Sequence, residues 1–241
     1  MKWETAITNI NNGEEIIRGK KLSGLIKTNS FTETIFLIWQ GRMPKLSETK
    51  MLDALLVSAI DHGTGTASAV TARVVASAKN DLHTSLAAGI LAMGERHGGA
   101  IQNAAKFFLD NQDNKNIAEL VKELKEKKVR MAGFGHAVLT KDNRSIEVFK
   151  IAKKLGFYKK CCAVAMQVEK ELNKISSKAV PLNIDGAMAA VLADMDFDPK
   201  IMKGIFITAR VPGLVAHIYE EIKNDTGLRR LSEEEITYIG K

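Results

Sequence analysis

The stretch MAGFGHAVLTKDNR, residues 131–144, interrupts a chain whose other long segments have the apolar spacing of helices. It places His136 directly after a glycine and ends on Arg144. Glycine allows backbone angles that other residues avoid and lets a ligand approach the backbone closely. Polar residues on loops between rigid helices are common in functional sites. The stretch therefore predicts a functional loop that a helical framework holds in place.

The framework around this loop is predicted to be mainly α. Apolar residues recur at helical spacing along most of the chain, which contains four prolines. The periodicity predicts helices over 66–78, 84–94, 100–110, 116–128, 145–155, 161–175, 186–195 and 200–222. Near the start, WETAITNI and EEIIRG flank Asn11-Asn12-Gly13, which is typical of a small β-hairpin.

Capping signals predict where several helices begin and end. Ser30–Glu33 forms a capping box, and Gly41 is expected to end the helix that follows it. Ser47 is predicted to cap the next helix, which runs through LLVSAI. Asp198–Pro199 combines a cap with proline at the first helical position, and Ser232–Glu235 is a second capping box.

The composition excludes several classes of protein. Hydrophobic residues make up 45% and charged residues 26% of 241, as in ordinary globular proteins. There is no apolar run of the ~18 residues that a transmembrane helix needs. The segment MKWETAITNINNG lacks the apolar core of a signal peptide. We therefore expect a cytoplasmic protein without a membrane partner.

The charge pattern and the cysteines also indicate which ligands the protein binds. The net charge is +7, but its lysines are dispersed and mixed with glutamate, as in KELKEKKVR. This pattern favours solvated helix faces over nucleic-acid binding, and a phosphate-rich small molecule such as coenzyme A also suits it. Cys161 and Cys162 are adjacent, which favours neither a disulfide nor a metal site. We predict two reduced thiols, partly buried on a helix.

Further interruptions of the helical pattern also carry charged residues. They are DHGTGT (61–66), MGERHGGA (93–100), PLNIDGA (181–187) and TARVPG (208–213). Taken alone, each polar residue also fits a structural role, in a turn, as a helix cap or in an ion pair. This applies to His62, His97, His136, Asp185 and Arg210. His83 and His217 lie in helical segments, and we interpret them as structural.

Together and in this order, the interruptions resemble the citrate synthase superfamily. The resemblance rests on DHGTGTAS, GERHGGAIQNA, GFGHAVLTKDNR, PLNIDGAMAAVL and TARVPGLVAH, and runs from about residue 5 to the C-terminus. It implies a two-domain helical fold with a large domain of residues 1–97 and 188–241. Residues 98–187 would form a small domain that closes over the large one and excludes water.

The resemblance also implies the catalytic residues. They are His97 in HGGA, His136 in GHAV and Asp185 in NID. The family makes or breaks the bond between the methyl carbon of acetyl-CoA and the ketone carbon of oxaloacetate, through a thioester enolate. His97 would stabilise the enolate oxygen, Asp185 would move the proton at carbon, and His136 would serve the ketone or hydroxyl oxygen. Partial burial is expected to raise the pKa of Asp185.

The substrate carboxylates would be bound by basic side chains. The resemblance assigns this role to His62, Arg144 and Arg210, and to an arginine near the C-terminus of a neighbouring subunit. Arg229 and Arg230 both fit that last position. Arginine suits the role because its planar fork of donors matches a carboxylate. The shared site implies at least a homodimer.

One departure from the family pattern points to a particular reaction. Full-length citrate synthases carry a long helical insertion between the segments that match GRMPKLSE and DHGTGT, and this chain lacks it. The shortened core resembles citryl-CoA lyases and the C-terminal module of ATP-citrate lyases, so cleavage of citryl-CoA to acetyl-CoA and oxaloacetate is expected. The alternatives are a short citrate or methylcitrate synthase and a non-catalytic subunit that binds CoA or a tricarboxylate.

Coenzyme A would enter as a thioester substrate or product, with no tightly bound cofactor and no metal. Some relatives have an arginine for the CoA phosphates just after the GHxV motif, where this chain has Thr140-Lys141. Lys141 is the candidate CoA contact. A citryl-CoA synthetase is a possible protein partner. The alanine-rich segments TASAVTARVVASA and SLAAGILAMG suit close helix packing, either between subunits or within the chain.

Overall fold

A computed structural model describes residues 2–135 and 140–240. Three short strands lead into a helical body, and the helical body agrees with the predicted periodicity. The strands are β1 (Thr8–Asn11), β2 (Glu14–Ile17) and β3 (Lys20–Lys21). The helices are α1 (Leu22–Thr28), α2 (Phe31–Gln40), α3 (Leu46–Ser58), α4 (Ala67–Ser77), α5 (Leu82–Leu91), α6 (Ala100–Asp110), α7 (Ile117–Glu126), α8 (Asn143–Leu155), α9 (Lys160–Ile175), α10 (Ile184–Asp194) and α11 (Pro199–Asn224), followed by a 3-10 turn, Glu233–Glu235.

The eight helices predicted from periodicity are all present. Their ends differ by a few residues at most, and the largest difference is at α5, which ends at Leu91 and not at 94. The predicted hairpin is also confirmed, with β1 and β2 antiparallel and Asn11 opposite Glu14. The third strand and α1 were not predicted, because they are too short to show a periodic pattern.

The helix caps confirm most of the local signals. Glu33 N–H donates to Ser30 Oγ at 3.2 Å, and Ser30 N–H donates to a carboxylate oxygen of Glu33 at 2.8 Å. Gly41 ends α2 in the left-handed region, at φ 72°. Asp198 accepts a backbone hydrogen bond at the start of α11, where Pro199 is the first helical residue. The Ser232–Glu235 box is present too, but the helix that it caps is only a 3-10 turn.

The predicted cap at Ser47 is wrong. Helix α3 begins at Leu46, with Lys45 at the cap position, two residues before Ser47. The backbone N–H of Lys45 donates to Glu48 Oε2 at 2.7 Å, and Arg42 forms an ion pair with the same carboxylate at 2.6 Å. The side chain of Glu48 therefore caps the start of α3, where the hydroxyl group of Ser47 was expected to do so.

The predicted interruption at 208–213 is also wrong. Helix α11 continues through this stretch with Pro212 inside it. The body of the helix packs against α3, α4, α5 and α6, and such packing outweighs the local cost of a proline. Gly213 allows the closest approach, because an added Cβ would lie 2.4 Å from the carbonyl oxygen of Ile60.

Helix α11 is long and apolar enough, by length and composition, to cross a membrane. In this structure it behaves as a core helix. Leu214 and Ile218 on α11 pack with Ala69, Ala72 and other small residues of α4 in a compact cluster. The inner faces of α4 and α5 thus meet within the chain, which is one of the two packings that the alanine-rich segments allowed.

Helix α10 is the centre of the larger core. Nearly all of its residues are buried, and it contacts α6, α8, α9 and α11. Small residues permit this close packing. At its start, an added Cβ on Gly186 would lie 2.3 Å from the carbonyl oxygen of Gly133. The N-terminus of α10 is therefore held against the segment that leads into the predicted catalytic loop. The division into domains at 97/98 and 187/188 stays a prediction.

Candidate active site

The segment that precedes His136 is bonded directly to the start of α10. Gly135 N–H donates to Pro181 O at 2.8 Å, and Asn183 N–H donates to Gly133 O at 3.0 Å. The side-chain amide of Asn183 also donates to Gly135 O at 3.0 Å. His136 itself lies outside the described residues. Its neighbour Gly135 nevertheless lies beside the turn that carries Asp185.

Asp185 lies in the first turn of α10, and the cap of that helix is Asn183, whose side chain accepts from Gly186 N–H at 3.1 Å. The suggestion that Asp185 itself caps a helix is therefore wrong. Within 2–135 and 140–240, the Asp185 carboxylate makes no hydrogen bond. Burial raises its pKa to about 6, against the opposing effect of Arg144 and Arg210. This confirms the expected direction of the shift and gives a carboxyl group able to exchange a proton near neutral pH.

His97 lies in the turn between α5 and α6 and faces the start of α4. Its Nε2 is 2.8 Å from Ser68 Oγ and 3.4 Å from the backbone nitrogen of Ser68. Because a backbone N–H can only donate, Nε2 acts as an acceptor and we assign the proton to Nδ1. Burial lowers the pKa of His97, and the nearby charges of Arg210 and His62 lower it further. A neutral imidazole whose Nδ1–H has no partner among the described residues is suited to stabilise a developing oxyanion.

Arg144 and His62 form a second part of the site. Arg144 Nη1 lies 3.2 Å from His62 Nδ1. The rest of the guanidinium is held by Asp142, which accepts from Arg144 Nε at 3.0 Å and from Nη2 at 2.8 Å. Sequence analysis missed Asp142. A signal was present, because aspartate often caps helices and Asp142 lies three residues before the predicted helix start at 145; the observed helix begins directly after it, at Asn143.

Arg210 enters the site from the middle of α11. It is 3% exposed, its Nε donates to Ala59 O at 2.8 Å, and its guanidinium carbon lies 5.3 Å from the centre of the Phe206 ring. Burial lowers its pKa, although the charges of Asp61 and Asp185 act in the other direction. It does not form the ion pair with a helix carboxylate that was the alternative interpretation. Its contacts hold the guanidinium in a fixed orientation.

These groups lie within electrostatic range of one another. Arg210 acts on the titration of both His97 and Asp185, and Arg144 acts on that of Asp185. The structure thus brings together five of the predicted residues, from five different stretches of helix and turn: His62, His97, Arg144, Asp185 and Arg210. One further contact supports the His62 turn. His217 Nε2 lies 3.0 Å from Asp61 Oδ1, in agreement with the structural role predicted for His217.

The C-terminal arginines are not part of this group within the chain. Arg229 Nε donates to the buried carboxylate of Glu221 at 2.6 Å, and Arg73 binds the same carboxylate at 2.7 Å. Arg230 is exposed and lines a cavity of about 550 Å³ together with Val70. Neither arginine contacts the five assembled residues in the described ranges.

Lys141 is exposed and lines another cavity, of about 420 Å³, between α8 and α9. Among the residues that the structure describes, no cluster of three histidine, cysteine or acidic side chains could hold a metal ion. Cys161 and Cys162 are free and buried, and burial raises the pKa of both thiols, that of Cys161 to about 12. The assembled chemistry is therefore that of imidazole, carboxyl and guanidinium groups.

Comparison with known proteins places this arrangement in a family. The family described as "Citrate synthase, C-terminal domain" matches residues 45–231. The structure of citryl-CoA lyase from Hydrogenobacter thermophilus is similar with a TM-score of 0.93 and 41% identity, over 99% of this chain and 95% of that one. ATP citrate lyase from Methanothrix soehngenii, in complex with citrate and coenzyme A, is similar with a TM-score of 0.89 and 26% identity, over 100% of this chain and 42% of that one.

The curated relatives are longer proteins. The chain is 30% identical to ATP-citrate synthase beta chain protein 1 of Arabidopsis thaliana, over 94% of this chain and 40% of that protein. It thus spans about two fifths of that relative's length. The family match and the likeness to the lyase structure both extend over most of the chain. The chain therefore belongs to the citrate synthase family.

Proposed function

We propose that this chain cleaves citryl-CoA to acetyl-CoA and oxaloacetate. The observation that carries the proposal is the placement of a neutral imidazole, His97, and a carboxyl group of raised pKa, Asp185, both within electrostatic range of Arg210, with Arg144 also acting on Asp185. The similarity to a citryl-CoA lyase over nearly the whole of both chains supports it. The non-catalytic alternative would leave the raised pKa of Asp185 without a use.

The cleavage needs three groups: a base, a hydrogen-bond donor to the enolate oxygen and an acid. A base removes the proton of the tertiary hydroxyl, whose oxygen becomes the ketone oxygen of oxaloacetate as the carbon–carbon bond breaks. The electron pair of that bond moves into the thioester and forms an enolate, whose oxygen accepts a hydrogen bond from Nδ1–H of His97. Asp185 in its acid form then protonates the carbon and yields acetyl-CoA. The family resemblance assigns the base role to His136.

The substrate carboxylates are proposed to lie between Arg144 and Arg210. Both guanidinium groups are held in place by their own contacts, and Arg210 has both Nη atoms free of hydrogen bonds within the described ranges. A group fixed before binding loses little conformational freedom when it binds a carboxylate. His62, bonded to Arg144, would complete the clamp.

We propose a homodimer in which Arg230 reaches the partner's site. Arg229 is already bound to the buried Glu221, whereas Arg230 has no ion pair or hydrogen bond in the described part of the chain. The exposed Val70 and Val74 on α4 offer an apolar surface beside it. Arg230→Gln should raise the KM for the substrate by about tenfold or more, which corresponds to ~1.4 kcal/mol.

Arg229→Gln is the matched control for this assignment. It should lower the free energy of unfolding, because it leaves Glu221 with one partner fewer, and should change KM little. Steady-state kinetics and urea unfolding of both variants distinguish the two arginines. A larger rise in KM for Arg229→Gln would reverse the assignment.

Coenzyme A is proposed to bind along the segment that carries His136. Lys141 follows it in the chain and is exposed. Before it in the chain, Lys128 and Arg130 line a cavity of about 480 Å³ together with Gly135. The lysines would act as point charges, and the arginine as a fork.

The condensation of acetyl-CoA with oxaloacetate is the second candidate. The specific observation in its favour is that a carboxyl group with a pKa of about 6 is mostly ionised at pH 7, as a base for the acetyl methyl group must be. The two reactions use the same groups in opposite directions. What separates them is hydrolysis of the thioester, which the cleavage does not need.

The deciding experiment measures both directions with purified protein. Citryl-CoA is supplied, and release of oxaloacetate is followed with malate dehydrogenase and NADH. In parallel, acetyl-CoA and oxaloacetate are mixed and free thiol is followed. Rapid oxaloacetate release with little thiol supports cleavage. Steady thiol release with formation of citrate would favour a synthase, and no turnover in either assay would contradict both.

A further inference from the structure

Asp142 occupies an unusual position between the two halves of the candidate site. Its carboxylate is buried, at 2% exposure, and accepts four N–H groups. Arg144 supplies three of them, from its backbone nitrogen at 3.0 Å, from Nε at 3.0 Å and from Nη2 at 2.8 Å. The fourth is the backbone N–H of Ile184, at 3.0 Å. One carboxylate thus joins the start of α8 to the start of α10.

Each end of this link carries a group of the proposed site. Ile184 directly precedes Asp185, and Arg144 contacts His62. If the link moved, the acid and the carboxylate clamp would move relative to each other. We propose that Asp142 is a positioning residue that fixes Arg144 and Asp185 at one distance, so that the clamp and the proton donor meet the same substrate. This role rests on the proposed function.

The link is electrostatic as well as geometric. Burial alone would raise the pKa of Asp142, but the contacts with Arg144 and the N–H of Ile184 outweigh it and lower the pKa. Asp142 is therefore ionised at neutral pH. Its negative charge raises the pKa of Asp185, which Arg144 on α8 and Arg210 on α11 lower. Loss of the charge at Asp142 should therefore lower the pKa of Asp185.

The chain offers a matched control at the other end of α10. Asp194 is also buried, at 6% exposure, and accepts the backbone N–H groups of Lys159, Cys161 and Cys162 at 2.7, 2.9 and 3.1 Å. It supports the start of α9 and contacts none of the proposed site residues in the described ranges. Loss of either carboxylate charge leaves buried N–H groups poorly satisfied. Both losses should cost stability, and only one should change the chemistry.

The test compares Asp142→Asn, Asp142→Glu and Asp194→Asn in the citryl-CoA assay across pH. Because the acid form of Asp185 donates the proton, the wild-type rate should fall as pH rises past the pKa of Asp185. Asp142→Asn should raise KM by about tenfold or more and move this fall to lower pH. Asp142→Glu keeps the charge but not the geometry, so it should restore the pH profile and leave KM raised. Asp194→Asn should lose stability and keep both KM and the pH profile.

Asp142 would be a merely structural residue if Asp142→Asn matched Asp194→Asn in KM and pH profile. If Asp142→Asn fails to fold, Asp142→Glu alone decides, and a wild-type KM in that variant overturns the proposal. Absence of turnover in the wild type instead contradicts the proposed function. In that case a carbon-13 NMR titration of the Asp185 carboxyl gives the answer without substrate. A lowered pKa in Asp142→Asn, with none in Asp194→Asn, supports the link, and equal values overturn it.

Discussion

The two ends of α10 each carry an aspartate, half-buried at Asp185 and buried at Asp194, and the two carboxylates have opposite surroundings. At the C-terminal end, the Asp194 carboxylate accepts three backbone N–H groups, so both of its oxygens have hydrogen-bond partners. At the N-terminal end, Asp185 has no hydrogen bond among the described residues, and its pKa is raised to about 6. A carboxylate that accepts several N–H groups stabilises a fold, whereas one without such donors keeps its oxygens for a ligand.

The body of the helix explains how both ends can be so different. Between Ile184 and Asp194 the residues are small or apolar and buried, which keeps the helix rigidly packed against four neighbours. A rigid element can hold one strained or poorly solvated group, because the rest of its packing compensates for the cost. The comparison therefore predicts opposite responses to mutation at the two ends.

The largest effect is expected for turnover of Asp185→Asn. The amide has nearly the same shape but cannot deliver a proton to the enolate carbon, so kcat should fall by about 10²–10⁴-fold. The measurement is the rate of oxaloacetate release from citryl-CoA. Helix content should stay at the wild-type level by circular dichroism. Turnover close to that of the wild type would remove Asp185 from the mechanism.

The same substitution should increase stability in a pH-dependent way. The pKa of Asp185 in the folded state, about 6, lies above the ordinary value of 3.8, so the folded wild type disfavours the ionised form. The stabilisation by the proton on Asp185 is fully present below about pH 4 and is lost as pH rises from there through 6. The asparagine side chain of the variant does not ionise. Relative to the wild type, Asp185→Asn should therefore gain about 2–3 kcal/mol between pH 4 and pH 8.

Urea unfolding of both proteins at pH 4 and pH 8 measures this gain. The difference between the two pH values cancels any constant effect of the amide. Asp194→Asn serves as the opposite case, because it removes a charge that three donors stabilise and should destabilise the fold at pH 8. An identical stability difference at both pH values would mean that Asp185 is not held in a costly state, and the two ends of α10 would then be alike.

A smaller effect is expected from the close approach at the N-terminal end. In Gly186→Ala the new Cβ would lie 2.3 Å from Gly133 O, so α10 and the segment before His136 must separate. Such overpacking typically costs about 1–3 kcal/mol in the free energy of unfolding. Gly204 on α11 is the control, because an added Cβ has no neighbour within 4 Å. Gly204→Ala should stabilise the protein by about 0.5–1 kcal/mol, and equal effects at both positions would show that the contact is not tight.

The elements that sequence analysis predicted correctly are those with local causes. The Ser30–Glu33 box and Asp198–Pro199 work through neighbours in the chain, and the helical periodicity reports a buried face directly. The two failures have different causes, one local and one non-local. At Ser47 a competing local signal decided the helix start, because Glu48 caps a helix that begins at Leu46. Pro212 stayed helical because α11 packs on five other helices.

The site shows the same division. The family motifs supplied His62, His97, Arg144, Asp185 and Arg210, and the structure brings these residues together. The motifs do not show which residues hold them. Asp142 reaches Ile184 across a long stretch of chain, and Ser68 meets His97 from another helix. Such contacts depend on the packing of α4, α8 and α10, which no short motif specifies.

The smallest effect is expected at the C-terminal end of α10, beside Asp194. The Cys161 thiol is buried beside Asp194. Burial, and to a smaller extent the negative charge of Asp194, raises its pKa to about 12. Its thiolate fraction at pH 8 should therefore be about a thousandfold below that of a thiol with the ordinary pKa of 9.0. A disulfide reagent such as DTNB should label the native protein very slowly and the guanidinium-unfolded protein within seconds. Cys161→Ala should leave turnover unchanged. Fast labelling of the native protein would show that the structure opens readily around the C-terminal end of α10. The rigidity of the helix could then no longer explain how its N-terminal end tolerates Asp185.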